Sequence, residues 1–189
     1  MKKSFMLFLI LLYLMMSSST VLAQKEIPIL VYHFIDEYEG VGSKELYVTP
    51  KNFEEQVRYL RDQGYALLTF EQWEDIHKVE KPVFITFDDG YKNNLNAFKI
   101  YQKLQTQDFK PRGTIFVISD FIGWTNRLSK EEMKMLSDSG LISIQAHTAT
   151  HPDLTKLEKL EYELADSKVK IEEIYRKARN CTSISLWEF

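Results

Sequence analysis

Short apolar runs alternate with amphipathic stretches along this chain, and the alternation predicts its elements. The sharpest run is Lys81-Pro-Val-Phe-Ile-Thr-Phe-Asp-Asp-Gly90, β-branched and aromatic until it ends abruptly in two carboxylates and a glycine. Such a run, with Pro82 at its entry, predicts a strand buried on both faces. Two shorter runs precede it: Ile27 to Phe34, followed by Asp36, and Tyr65 to Thr69. Between them lies a polar loop from Glu37 to Val48. Thr49 as N-cap and Pro50 at the first helical position then open a helix that Gly64 stops. Phe53, Val57, Leu60 and Tyr59 form its expected buried face. Glu71 to Lys78 reads as a short helix bearing Trp73 and Ile76.

Beyond the third strand, a helix over Asn93 to Gln105 carries Leu95, Phe98, Ile100, Tyr101 and Leu104 at apolar positions. Arg112 to Ser119 is a fourth strand. Ser129 and Glu132 make a capping box for a helix that ends at Gly140, and Leu141 to His147 is a fifth strand. A second capping box, Thr155 with Glu158, is expected to open a long charged helix reaching about Ala178, and Cys181 to Leu186 to begin a sixth strand. Strands alternating with helices predict an α/β fold with a mostly parallel sheet and right-handed crossovers. A barrel-like arrangement and an open doubly wound sheet both fit. The chain has neither a glycine fingerprint for a dinucleotide nor a phosphate loop.

The candidate chemistry sits at two strand exits. Asp88 and Asp89 fall where the third strand leaves the core, and two adjacent carboxylates repel unless a cation or a proton compensates them. Gly90 lets the backbone turn sharply beside them. His147-Thr-Ala-Thr-His151-Pro152 follows the fifth strand. Pro152 and the preceding strand argue against a helix there, so the spacing predicts a turn that folds back and brings both imidazoles to one point. Two histidines and one aspartate at one rim suit a divalent metal and leave positions open for water and substrate. The other carboxylate is then free to take a proton from water.

Charge and the termini narrow the class further. The chain has 189 residues and a formal net charge of −3, with no basic block or stripe, which argues against a nucleic-acid partner. Lys2 and Lys3, the apolar stretch Phe5 to Met16 and Val21-Leu22-Ala23 form a signal-peptide pattern over residues 1–23. The expected product is a secreted or cell-surface domain over residues 24–189; an uncleaved N-terminal anchor is the alternative. Cys181 is the one cysteine, so no disulfide framework is expected.

Thr86-Phe-Asp-Asp-Gly90 and His147-Thr-Ala-Thr-His151-Pro152, in this order and about sixty residues apart, resemble the first two motifs of the polysaccharide deacetylases, the NodB-homology group or carbohydrate esterase family 4. The resemblance implies a distorted (β/α) barrel and hydrolysis of N-acetyl groups on a polysaccharide. It implies Asp88 as general base, and Asp89, His147 and His151 as ligands of a divalent metal, with zinc the default and cobalt, nickel or iron open. Pro28-Ile-Leu-Val-Tyr-His33 looks more like the exported branch that acts on poly-N-acetylglucosamine, in which an N-terminal histidine, here His33, is the general acid. The plainer alternative for His33 is a strand cap bonded to Asp36. Tyr91, Phe121 and Trp124 are candidate sugar-stacking rings.

The implied partner is a polysaccharide containing N-acetylglucosamine, met at a cell wall or membrane surface. Peptidoglycan or chitin oligomers are alternative substrates. In place of the family's third motif, of Arg-x-Pro-Tyr or Tyr-Pro-x-Gly type, the chain offers Ser183 to Phe189. A barrel incomplete at its C-terminus is therefore expected, with a non-catalytic remnant as the remaining alternative.

Overall fold

The strand that ends in the two carboxylates is buried at every residue, β-branched and aromatic side chains filling both of its faces. The computed structural model that shows this describes residues 26–157 and 160–176. Its strands are β1 (Ile29–Tyr32), β2 (Phe34–Ile35), β3 (Tyr47–Val48), β4 (Ala66–Leu68), β5 (Pro82–Phe87), β6 (Gly113–Val117) and β7 (Ile142–Ala146). Its α-helices are α1 (Pro50–Asp62), α2 (Asn94–Leu104), α3 (Lys130–Asp138) and α4 (Ser167–Arg176). The main sheet runs β1-β5-β6-β7, with β4 pairing the first half of β5, and every pairing is parallel. Parallel pairing puts the C-terminal ends of β1, β5, β6 and β7 along one rim.

Period-two alternation along β5 divides its side chains between two clusters. Val83, Ile85 and Phe87 enter the main core, while Phe84 joins Leu68 and Ile76 in a smaller one on the other face. In the main core Phe53 from α1 meets Tyr32, Phe87 and Tyr101 with ring centroids 5.1 to 5.8 Å apart, two of the three edge-on as aromatic quadrupoles favour. Thr49 caps α1 by accepting the Asn52 N–H, and Ser129 and Glu132 form the expected capping box on α3.

Several expectations need correction. The first apolar run is two strands, β1 and β2, broken by a bend at His33. The polar loop after it contains a 3₁₀ turn and then β3, which pairs with β2 as a small parallel ribbon. Tyr59 is 62% exposed, because Phe53, Val57 and Leu60 already fill the stripe that α1 buries. The segment after β4 is a kinked 3₁₀ helix, Phe70–His77, non-helical at Gln72. Thr155 caps no long helix: its N–H and hydroxyl both go to the Asp153 carboxylate, which closes a 3₁₀ turn over Leu154–Lys156. Helical structure is present again at Leu160 and Glu161 and continues through a π-helical turn, Tyr162–Asp166, into α4. The leader, the helix end near Ala178 and the sixth strand lie outside the described residues. Among those described, no helix is long and apolar enough to cross a membrane.

The last helix is fastened to the rim by Asp120, which follows β6. Its carboxylate accepts from the Tyr162 hydroxyl at 2.5 Å and from Lys170 Nζ at 2.6 Å. Burial pushes Asp120 up, but the Lys170 and Tyr162 bonds outweigh it and hold the group below the ordinary aspartate range. A depressed carboxylate stabilises the fold above its unfolded pKa, and that contribution fades as pH falls through the folded value. The pair is partly exposed, so about 0.2–1 kcal/mol is the expected scale. Asp120→Asn should therefore lower Tm near pH 7 and converge with the parent protein on acidification; a gap independent of pH would rule the ion pair out as its source.

Gly113 packs against Tyr101, Phe87 and the Ile85 carbonyl, all of which would lie 3.0 to 3.2 Å from an added Cβ. Gly113→Ala should destabilise by about 1–3 kcal/mol through overpacking, lowering Tm by roughly 2–4 °C per kcal/mol for a chain this long. An unchanged melting curve would show that the contact is slack.

Candidate functional site

Backbone hydrogen bonding and two tight turns assemble the site at the rim. The Asp88 N–H donates to the Tyr32 carbonyl at 2.8 Å, so Asp88 still belongs to the β1–β5 ladder. Asp89 turns away with φ of 69° and Gly90 follows with φ of 66°, a conformation that glycine takes without strain and aspartate tolerates. An added Cβ at Gly90 would lie 3.0 Å from Val117 at the end of β6, so the turn lies flat against its neighbour. The Asp89 carbonyl accepts from Arg127 Nη1 at 2.6 Å. The Tyr91 ring packs between Phe34, with centroids 3.8 Å apart, and the Arg127 guanidinium, 3.8 Å from its centroid.

On the neighbouring side His147 leaves β7 with its N–H on the Val117 carbonyl at 2.8 Å. Thr148 and His151 take left-handed backbone, φ 65° and 59°. The Thr148 and Ala149 carbonyls accept from the Ser119 and Asp120 N–H groups, each at 3.1 Å, and the Thr148 hydroxyl accepts the His151 N–H at 2.9 Å. Glu163, from the π-helical turn, accepts the Ala149 and Thr150 N–H groups at 2.8 Å each and the Thr150 hydroxyl at 2.7 Å.

These loops bring Asp89, His147 and His151 together. Their candidate ligand atoms all lie within 4.8 Å of one another, with His147 Nε2 and His151 Nε2 3.7 and 3.8 Å from Asp89 Oδ1. Those distances are too long for hydrogen bonds. The two histidine–aspartate separations suit donors sharing one ion, since two atoms each about 2.1 Å from a zinc stand at most about 4.2 Å apart. Two imidazoles and one carboxylate form the donor set of zinc and of several first-row transition metals, so the residues present fit such an ion. Burial pushes His147 below its ordinary pKa, against the pull of Asp88, and so favours the neutral imidazole that a metal takes.

Asp88 stands outside the ligand trio. Burial raises its pKa, and the His147 and His33 imidazoles pull the other way. Tyr32 pairs with Phe87, so His33 and Asp88 each follow their strand at the same rim. His33 is held by its backbone, the fully buried Asn94 donating Nδ2 to its carbonyl at 2.8 Å. Asp36, its alternative partner, accepts the Glu37 N–H instead. Of the three rim aromatics, Tyr91 has its ring occupied by Phe34 and Arg127. Trp124 is 57% exposed and stacks on Phe121.

Sequence reasoning missed Asn94, Arg127 and Glu163. Only Glu163 left a signal: it falls on the same helical stripe as Ser167 and Ile171, all three buried, where a lone carboxylate is out of place.

Comparison with known proteins agrees with this geometry. The family model described as polysaccharide deacetylase matches residues 75–184. The chain is 34% identical over 160 residues to YxkH, a protein of Bacillus subtilis described as a candidate polysaccharide deacetylase, covering 80% of this chain and 53% of that protein. A crystal structure of a candidate polysaccharide deacetylase from Bacillus anthracis, BA0330, superposes with a TM-score of 0.78 at 52% identity, over 79% of this chain and 48% of that one. The deacetylase PplD of Streptococcus pyogenes, solved with acetate, gives a TM-score of 0.68 at 27% identity, over 79% of this chain and 69% of that one. The chain thus spans about half the length of the first two. The parallel sheet is accordingly part of the NodB-type (β/α) barrel and not an open doubly wound sheet. With both motifs meeting at one rim of that fold, the chain belongs to the polysaccharide deacetylase family.

Proposed function

We propose that this protein hydrolyses N-acetyl groups of an exported or cell-wall polysaccharide, of the poly-N-acetylglucosamine type, with a divalent metal that is zinc by default. The observation that carries the proposal is the convergence of Asp89, His147 and His151 beside a carboxylate that is not one of the trio, Asp88. A leader over residues 1–23 makes export part of the same proposal.

Asp89, His147 and His151 would hold the ion. When bound, it supplies Lewis acidity, which polarises an acetyl carbonyl and makes water a stronger acid. Asp88 takes the proton from the attacking water, whose oxygen forms the new bond to the carbonyl carbon. His33, as imidazolium, then gives a proton to the amide nitrogen as the carbon–nitrogen bond breaks. The products are acetate and a free amine on the sugar, and His33 and Asp88 regain their starting states once a proton passes back through solvent. Raising Asp88 by burial makes it a better base once ionised, because basicity follows pKa. Trp124, exposed and backed by Phe121, offers the ring face for a sugar.

Acetate release from N-acetylglucosamine oligomers and from poly-N-acetylglucosamine tests the proposal. Chelation should abolish release and added zinc should restore it; release that survives complete removal of metal would sink the metal-dependent mechanism. Asp88→Asn should lower kcat by about 10²–10⁴ while the protein keeps its metal, as measured by elemental analysis. Loss of the metal in that variant would show that Asp88 is a ligand and not the base.

A further inference from the structure

We infer that Glu163 is the positioning residue of the metal site, an anion that fixes the His147–His151 turn from behind so that both imidazoles face Asp89. The inference rests on the metal-binding role proposed above for those three residues.

Glu163 is 5% exposed and forms no ion pair with a lysine or arginine among the described residues. A buried carboxylate without a cation survives only where hydrogen-bond donors replace water. Here three donors do so, and all belong to the turn between the histidines: the Ala149 N–H, the Thr150 N–H and the Thr150 hydroxyl. The two successive N–H groups converge on one oxygen, Oε2, and form an anion-binding nest that follows the left-handed Thr148. Burial pushes Glu163 up, yet the Thr150 and Ala149 bonds prevail and leave it below the ordinary glutamate range, so it is charged at neutral pH.

The turn needs such support. Left-handed backbone at Thr148 and at His151 is strained and persists only where surrounding bonds over-determine it. Ser119 and Asp120 hold the carbonyls of Thr148 and Ala149 on one side, and Glu163 holds the N–H groups on the other. The same helical segment reaches Asp120 through Tyr162 and Lys170. The π-helical turn is part of the device: Ser167 Oγ donates to the Glu163 and Leu164 carbonyls at 2.7 and 3.0 Å, within the widened turn from which Glu163 faces the nest.

The test compares full-length protein with Glu163→Ala, Glu163→Gln and Thr150→Val, measuring zinc affinity by competition with a chromogenic chelator and melting of the metal-free proteins. Glu163→Ala should lose about 10–100-fold in zinc affinity, the scale for groups that orient metal ligands. Its acetate release should fall at limiting zinc and recover as zinc is raised. Glu163→Gln keeps an acceptor for the two N–H groups and should restore most of the affinity. Thr150→Val, which removes one donor and keeps the shape, should lose less in the same direction, and it decides the question if Glu163→Ala does not fold. A folded Glu163→Ala, or failing that Thr150→Val, with the parent's zinc affinity overturns the inference, even if its melting temperature drops. A parent protein that takes up no divalent metal overturns the metal reading itself, and the inference with it.

Discussion

A strand with no free face cannot keep a charge, and that constraint organises this molecule. Between Pro82 and Phe87 every side chain of β5 is buried, so Asp88 and Asp89 occupy the first positions at which ionised groups escape the core. Parallel pairing then makes the escape point common property. β1 delivers His33, β5 the carboxylates and β7 the imidazoles of its exit turn, all to one rim, because every strand runs the same way. The chemistry is a consequence of strand direction before it is a consequence of any single residue.

Two adjacent aspartates acquire different characters there through backbone geometry. Asp88 is still tied to Tyr32 in the ladder, and burial raises its pKa, making it a weaker acid than an exposed aspartate. Asp89 has turned through a left-handed conformation toward His147 and His151, its carbonyl pinned by Arg127. Environments that drive paired acids apart are how a site assigns distinct tasks to like groups.

What the sequence made legible was local. The apolar run of β5, the Thr49 and Ser129 caps and the two short motifs each carry their own pattern within ten residues or so. The two-residue strands β2 and β3 are too short for any periodicity, and Asp153 took Thr155 from the helix expected to start there. The supports of the site were hidden for another reason. Asn94 reaches the His33 carbonyl across 61 positions of chain and Arg127 reaches Asp89 across 38, partnerships that no window of sequence contains. The contacts of Tyr91, a candidate sugar-stacking ring in the sequence, with Phe34 and Arg127 were hidden for the same reason.

The left-handed residues at Asp89, Thr148 and His151 have a consequence for how such a centre is filled. Their shape is imposed by ordinary hydrogen bonds of the folded chain, so the backbone that carries the three donors is set by the polypeptide itself. Under the proposed chemistry, an ion would therefore meet donors on backbone already fixed by other bonds. Occupancy under the proposed chemistry follows the supply of competing transition metals and their intrinsic order of affinity, so growth in media of different mineral content would change the ion carried without changing the protein around it.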